Sequence, residues 1–272
     1  MWRGLYAAAS GMIQETVRTD VIANNLANAD TSGYKKDVAV SKEFEPMLMR
    51  RIKDYDPRLA VTTFKGFSLN QKPPRVGTLG VGAKIDEVAI DTNQGSLKTT
   101  GNPLDVAISG DGFLAVQTDR GIRYTRDGAL TKSPAGVLQN MKGQPILDEQ
   151  GQTITIPRNA NRIIIGAKGE ISAAVGGEQF QQIGRMMFVS FGDDRRAIVK
   201  EGDNLWNPRP TAQVRPATGD INQGCLEASN TNVVNDMVEL INNQRMYEAG
   251  AKAVITQDTM LEKAVTEVGR VS

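Results

Sequence analysis

The chain has 272 residues and a mass of 29.4 kDa, room for one or two domains of ordinary size. Lys plus Arg number 32 and Asp plus Glu 31, so the net charge of +1 argues against a nucleic-acid binder that works through a bulk positive field, though not against local basic patches. The absence of histidine removes the usual neutral-pH general base and every Ser-His, Cys-His or His-metal arrangement, and the single cysteine, Cys225, cannot form an internal disulfide. No cofactor, metal, nucleic acid or small-molecule substrate is expected.

From the N-terminus, steps alternating three and four pick out Trp2, Leu5, Ala9, Met12, Thr16, Thr19, Ala23 and Leu26, mostly apolar, which predicts a long amphipathic helix. Gly11, Gln14 and Glu15 interrupt the apolar run that a secretory leader would need, so the segment is expected to be retained. Asn24, Asn25 and Asn28 follow. Asn costs a helix interior about 0.7 kcal/mol relative to Ala, so the cluster marks either a frayed helix end before Thr31-Ser32-Gly33 or amides bonded to backbone or to another helix.

Between Arg50 and Arg75 lies a basic stretch ending in Pro73-Pro74, which reads as an extended connector. Gly77 to Lys84 superficially evokes a phosphate loop, but it lacks Gly-Lys-Ser/Thr and any following helix signal. The pattern then turns to period two. Leu104, Val106 and Ile108 alternate, Gly110-Asp111-Gly112 offers a turn, and Phe113 to Val116 resumes. Asp119-Arg120-Gly121 and Asp127-Gly128 mark further turns, and Ile146-Leu147, Ile154 to Ile156, Arg162 to Ile165 and Met186 to Phe191 are further strand candidates. A domain of short strands follows from this pattern.

At the C-terminus the same heptad stepping returns through Val233, Met237, Leu240, Gln244, Tyr247, Ala251, Val254, Asp258, Leu261, Val265 and Val268. Ser229 or Asn230 is placed to cap this second helix, and Cys225 reads as a small apolar residue just before it. Two amphipathic helices that face only each other leave a flank of each stripe uncovered, so they are expected to pack fully only in an assembly.

Three blocks carry a family resemblance. Ala23-Asn24-Asn25-Leu26-Ala27-Asn28-Ala29-Asp30-Thr31-Ser32-Gly33-Tyr34-Lys35 resembles the Asn-rich motif of bacterial flagellar rod and hook proteins. Gly101 to Phe113 with Tyr124-Thr125-Arg126-Asp127-Gly128 resembles their central block, and Gly224 to Val234 with Gln244-Arg245-Met246-Tyr247-Glu248 resembles their C-terminal motif. Leu114 and Cys225 stand where the family often has aromatics. Within the family, a chain of this length with one β domain is most similar to the distal-rod type or its close relative on the proximal side.

The resemblance implies an α+β fold. Its N- and C-terminal helices pair as a coiled-coil-like domain, and an all-β domain is inserted between them. The expected division is 1–35 for the first helix, 36–80 for the connector, 81–222 for the β domain and 223–272 for the second helix. It implies a structural subunit, not an enzyme, that self-associates into a helical rod next to other rod and hook proteins. Export is expected through the flagellar apparatus without a cleaved signal peptide, to the basal body outside the cytoplasmic membrane. The expected assembly residues are Leu5, Met12, Asn24, Asn25, Leu26, Asn28, Val233, Met237, Leu240, Tyr247, Val254 and Leu261. The basic connector is a candidate for contact with peptidoglycan or an acidic face of a neighbour. A peptidoglycan-cleaving enzyme is the rival, with Asp105 and Asp111 as its carboxylates, although Asp111 lies between two turn glycines. A surface adhesin or hook-type protein is a weaker alternative.

Overall fold

Helix α1 (Trp2–Ala27) and helix α2 (Val233–Val268) stand at the two ends of the chain, and short strands fill what lies between them. The computed structural model describes residues 2–50, 63–64, 67–68, 75–175, 179–192 and 197–268. The α+β class is therefore as expected, while most of the basic connector between Arg50 and Arg75 lies outside the described residues.

The described residues divide into two compact units. One draws on 1–21, 39–89 and 238–272, the other on 22–38 and 90–237. The division runs through both helices, so the second unit holds the last turns of α1 and the first turn of α2.

In the second unit a six-stranded sheet runs in the order Ile198–Gly202, Leu205–Pro208, Gly121–Thr125, Phe113–Thr118, Phe188–Ser190, Arg215–Pro216. Its centre is the hairpin expected at Asp119-Arg120. Thr118 pairs with Gly121 across a two-residue connection, and Gly121 takes a φ of 99°, a left-handed value that favours glycine. Strand Phe113–Thr118 is buried on both faces. Leu114 and Val116 enter a core with Ile108, Ile146, Ile171 and Met186, while Phe113 and Ala115 enter a second one with Tyr124, Phe191 and Trp206. The continuous apolar run, rather than strict alternation, is what a strand covered on both sides requires.

The second core holds four of the chain's fourteen aromatic residues. Phe113 meets Trp206 at 5.5 Å between ring centroids, and Tyr124 meets Phe191 edge-on at 4.9 Å. A three-stranded sheet of Ala160–Ile165, Glu170–Val175 and Phe180–Arg185 closes the first core through Ile165 and Ile171. The expected strands at Ile146-Leu147 and Ile154–156 are isolated bridges, Val116 to Ile146 and Leu147 to Thr153 among them.

The start of α2 differs from expectation. Asn232, not Ser229 or Asn230, caps it, with Oδ1 accepting from the Asn235 backbone N–H at 3.2 Å. Cys225 lies on strand Cys225–Glu227, paired with Leu97–Thr99, and not at the head of the helix. The Gly-rich run from Gly77 belongs to two strands, Arg75–Leu79 and Ala83–Ile90, with no helix after them.

The first unit has a different economy of burial. Among its described residues no apolar side chain is buried, and the two buried residues are polar, Glu15 and Asn243. Meanwhile Tyr6, Ile13, Ile241, Met246, Ile255 and Val265 are between 50 and 72% exposed. Its helices do approach closely. A Cβ added to Gly250 would stand 2.8 Å from Met12 Cγ, and one added to Gly4 would stand 3.4 Å from the Gln257 amide nitrogen.

Elements without buried apolar contacts open at low free-energy cost. In hydrogen exchange on the monomer, the amides of residues 5–20 and 240–265 should exchange at least about a hundredfold faster than those of Phe113–Thr118, whose burial ties their opening to global unfolding. Equal protection in the two regions would contradict this division.

Candidate assembly interface and its buried ion triad

The Asn-rich motif is resolved into internal bonds. Asn25 is 4% exposed. Its Oδ1 accepts from the Asp37 N–H at 2.8 Å and the Tyr34 hydroxyl at 3.1 Å, while its Nδ2 donates to the Asp37 carbonyl at 2.8 Å. Asn24 Oδ1 accepts from the Tyr34 hydroxyl at 3.0 Å, and Asn28 Nδ2 donates to the Asn24 carbonyl at 2.8 Å. The amides thus close the helix end and hold the chain's reversal into strand Asp37–Glu43. Burial, and secondarily the Asp37 charge, push the Tyr34 hydroxyl well above the ordinary tyrosine range, so it stays a donor.

Two residues beyond the tight turn at Gly33, the chain places a lysine inside the unit. Lys35 is 2% exposed, and its Nζ donates to Glu227 Oε1 at 2.6 Å and to the Asn93 carbonyl at 2.9 Å. Arg126 reaches the other oxygen of the same carboxylate from Nε at 3.1 Å, and spends its remaining N–H groups on the carbonyls of Gly112 and Gly110 at 3.2 and 3.0 Å. Glu227 also accepts the Gly95 N–H at 3.1 Å on Oε1 and the Gly33 N–H at 2.8 Å on its own carbonyl.

Burial, with the Arg126 charge adding to it, lowers the Lys35 ammonium from the usual lysine range, and the Glu227 bond works against that. Around the triad, Lys200 donates to the Lys35 carbonyl and to Asp37 at 2.9 Å, with its ammonium 4.2 Å from the centre of the Tyr34 ring. Asn230 accepts the Lys36 N–H at 2.7 Å and donates to the Asp91 carbonyl at 2.9 Å. None of Lys35, Arg126 or Glu227 stood among the expected site residues. Each lies in one of the three motif blocks read from the sequence.

The expected assembly residues separate into sets. Asn24, Asn25 and Asn28 come together with Tyr34. Leu5, Leu26, Leu240, Val254 and Leu261 are half-buried, as is Met12, which lies against Gly250. Val233, Met237 and Tyr247 are exposed at 39, 49 and 38%. The less exposed seam of α2 runs through Asp236, Leu240, Asn243, Gly250, Ala251, Val254, Gln257, Leu261 and Ala264. It shares Leu240, Ala251, Val254 and Leu261 with the apolar stripe read from sequence and lies one residue before the stripe at Asp236, Asn243, Gly250, Gln257 and Ala264. The seam is therefore more polar than the stripe, and Met237, Ile241 and Val265 face solvent.

The carboxylates of the enzymatic alternative are both engaged. Asp105 accepts from Thr100 Oγ1 at 2.6 Å and Asn102 Nδ2 at 2.9 Å, and Asp111 is bonded to Ser190. Such bonds are those of turn and strand-start acids.

With this geometry in view, three family descriptions fall on the same three blocks. "Flagella basal body rod protein" matches residues 5–35, "Flagellar hook protein FlgE/F/G D1 domain" residues 107–173, and "Flagellar basal body rod FlgEFG protein C-terminal" residues 222–267. A Caulobacter vibrioides protein named flagellar basal-body rod protein FlgF is 33% identical over the whole of both chains. The chain belongs to the flagellar basal-body rod family. Proteins named FlgG are similar at nearly the same level: that of Buchnera aphidicola from Schizaphis graminum is 32% identical, covering 95% of this chain and 97% of its own. That of Bacillus subtilis is 30% identical, covering 97% of this chain and 98% of its own. In this rod-family chain the buried triad draws one member from each matched block or its immediate flank: Lys35, Arg126 and Glu227.

The triad carries two cations and one anion, so its members are not equivalent. Glu227→Gln leaves both cations buried without a counter-charge and should cost the second unit about 3 to 5 kcal/mol, whereas Lys35→Met leaves Arg126 and Glu227 matched and should cost less than half of that. Urea unfolding followed through Trp206 fluorescence checks the order; equal losses would show that the site is not organised around Glu227.

Proposed function

We propose that this rod-family chain is a subunit of the distal rod, polymerising through its terminal helices into a helical shaft that transmits torque from motor to hook. The observation that carries the reading is the first unit's lack of any buried apolar residue among those described, beside its row of exposed Tyr6, Ile13, Ile241, Met246, Ile255 and Val265. A soluble monomer gains nothing from such a surface. Covering those six side chains in an assembly would contribute on the order of 5 to 10 kcal/mol gross, since each is already part-covered.

In this reading α1 and α2 pair along a coiled-coil-like seam, and repetition of one heterologous contact that does not close generates the filament. Leu5, Met12, Leu26, Leu240, Val254 and Leu261 serve the seam. Val233, Met237 and Tyr247 face neighbouring subunits, and Asn24, Asn25 and Asn28 hold the end of α1. The domain division at residues 35, 80 and 222 belongs to the same proposal, with the terminal segments as the assembly domain. So do transit through the flagellar export apparatus without a cleaved leader, a place in the basal body outside the cytoplasmic membrane, and contact of the basic connector with peptidoglycan. The length and the basic connector favour the distal-rod type over its close relative.

Leu240→Asp with Val254→Asp places two charges on the seam. The variant should keep the second unit folded, with its unfolding midpoint unchanged, yet form no polymer in vitro and restore no swimming to a strain lacking the protein. Normal swimming of that strain would sink the interface assignment.

A further inference from the structure

A cavity of about 420 Å³ opens within the second unit, inside the size range of small-ligand sites. Its floor is buried and of mixed character. Phe113, Phe191 and Trp206 make an aromatic side, and Lys35 and Arg126 bring two cations to it. The two sides adjoin: the Arg126 guanidinium carbon stands 5.7 Å from the centre of the Phe113 ring, which lies 5.6 Å from that of Phe191. Among the described lining residues the one acid is Asp111, which is exposed.

The floor has donors to spare. Lys35 spends two of its three N–H groups, on Glu227 and on the Asn93 carbonyl. Trp206, 1% exposed, keeps its indole N–H without any partner, and a buried donor in that state is costly. Two other buried atoms of this unit lack partners, Arg185 Nε and Asp236 Oδ2, and neither residue lines the cavity.

Charge points the same way. Lys35 and Arg126 share the single carboxylate of Glu227, whereas the nearby Lys200 and Lys36 have acids of their own, Asp37 at 2.9 Å and Asp91 at 3.6 Å. Asp111 is bonded to the Ser190 hydroxyl and forms no ion pair among the described residues. A small hydrated oxyanion would leave the rings uncovered, and a neutral aromatic would leave the cations and donors unmet. A carboxylate on an apolar body answers both.

We propose that this cavity is a binding site for a carboxylate carried on an apolar body. The carboxylate lies toward Lys35 and Arg126, and the body rests on the side made by Phe113, Phe191 and Trp206. A free organic acid and an acidic side chain of a second copy offer the same chemistry. The site stands within the second unit and does not depend on the assembly reading given above.

In the ¹⁵N-labelled full chain the two tryptophans give separate indole N–H signals, Trp206 on the floor and Trp2 on α1. Phenylacetate should shift the Trp206 signal saturably, with half-saturation below about 5 mM, and leave Trp2 in place. Phenylacetamide, of the same shape without the charge, should bind at least about tenfold more weakly, a ratio that corresponds to roughly 1.4 kcal/mol. Lys35→Met should cut that preference to less than about threefold, since one of the two cations is gone. Asp111→Asn removes the negative charge at the rim, keeps an acceptor for Ser190 and lies outside the triad; it should strengthen phenylacetate binding about two- to threefold. A Trp206 signal that does not move, equal binding of acid and amide, or no gain in Asp111→Asn would each overturn the proposal. With no acid added, a Trp206 shift in the same direction that grows with protein concentration assigns the carboxylate to a second copy, and a constant signal assigns it to a free acid.

Discussion

Glu227 stands between two buried cations, and the rest of the second unit is arranged so that it can. A carboxylate 1% exposed is tolerable only where every lone pair is used. Glu227 meets that condition with Lys35, Arg126 and the Gly95 N–H, and with its own carbonyl it holds Gly33. Three stretches of chain far apart in sequence, around residues 33–35, 95 and 126, are bound to one residue. The second cation would leave a surplus charge, and the chain meets it with carbonyl oxygens: Asn93 for Lys35, Gly110 and Gly112 for Arg126. The glycines follow from this crowding. A side chain at Gly33 would run into the Arg126 carbonyl, and one at Gly95 into the Ala228 carbonyl.

Because the triad fixes residues 33–35 and 225–227, it also fixes where the long helices leave the unit. Asn25 ties the end of α1 to Asp37, and Asn230 with the Asn232 cap ties the start of α2 to Lys36 and Asp91. The second unit thus supplies cores, an ion triad and two anchored helix ends. The first unit supplies length and an apolar surface. Buried cores and exposed apolar surface thus lie in different parts of one chain.

Much of this was legible in the sequence, and the parts that were not share a cause. The hairpin at Asp119-Arg120 and the strand Phe113–Thr118 follow from turn chemistry and an apolar run, both local signals. The helices follow from period, but their faces do not. Heptad stepping chose Met237, Gln244 and Asp258, whereas the seam uses Asp236, Asn243 and Gln257, because a stripe read on hydropathy alone cannot see which face of a helix its neighbour covers. The Asn cluster was recognised as an amide site, yet whether its amides bond within the chain or across an interface depends on Tyr34 and Asp37 arriving at the same place. Lys35, Arg126 and Glu227 are separated by 91 and 101 positions, and no pattern in one sequence joins such residues.

The span of that triad has a kinetic consequence. Lys35 and Glu227 are 192 positions apart, and closing a loop of that length costs about 5 kcal/mol in chain entropy by its length-dependent part alone. The ion pair cannot supply that by itself, since burying its charges is costly until all three members are present. Closure must therefore accompany formation of the cores that the intervening strands build. Before Glu227 is available, Lys35 and Arg126 have no carboxylate to enter the interior with, and the partly formed unit is penalised for closing. Formation of the triad and of the cores is thus coupled within the second unit.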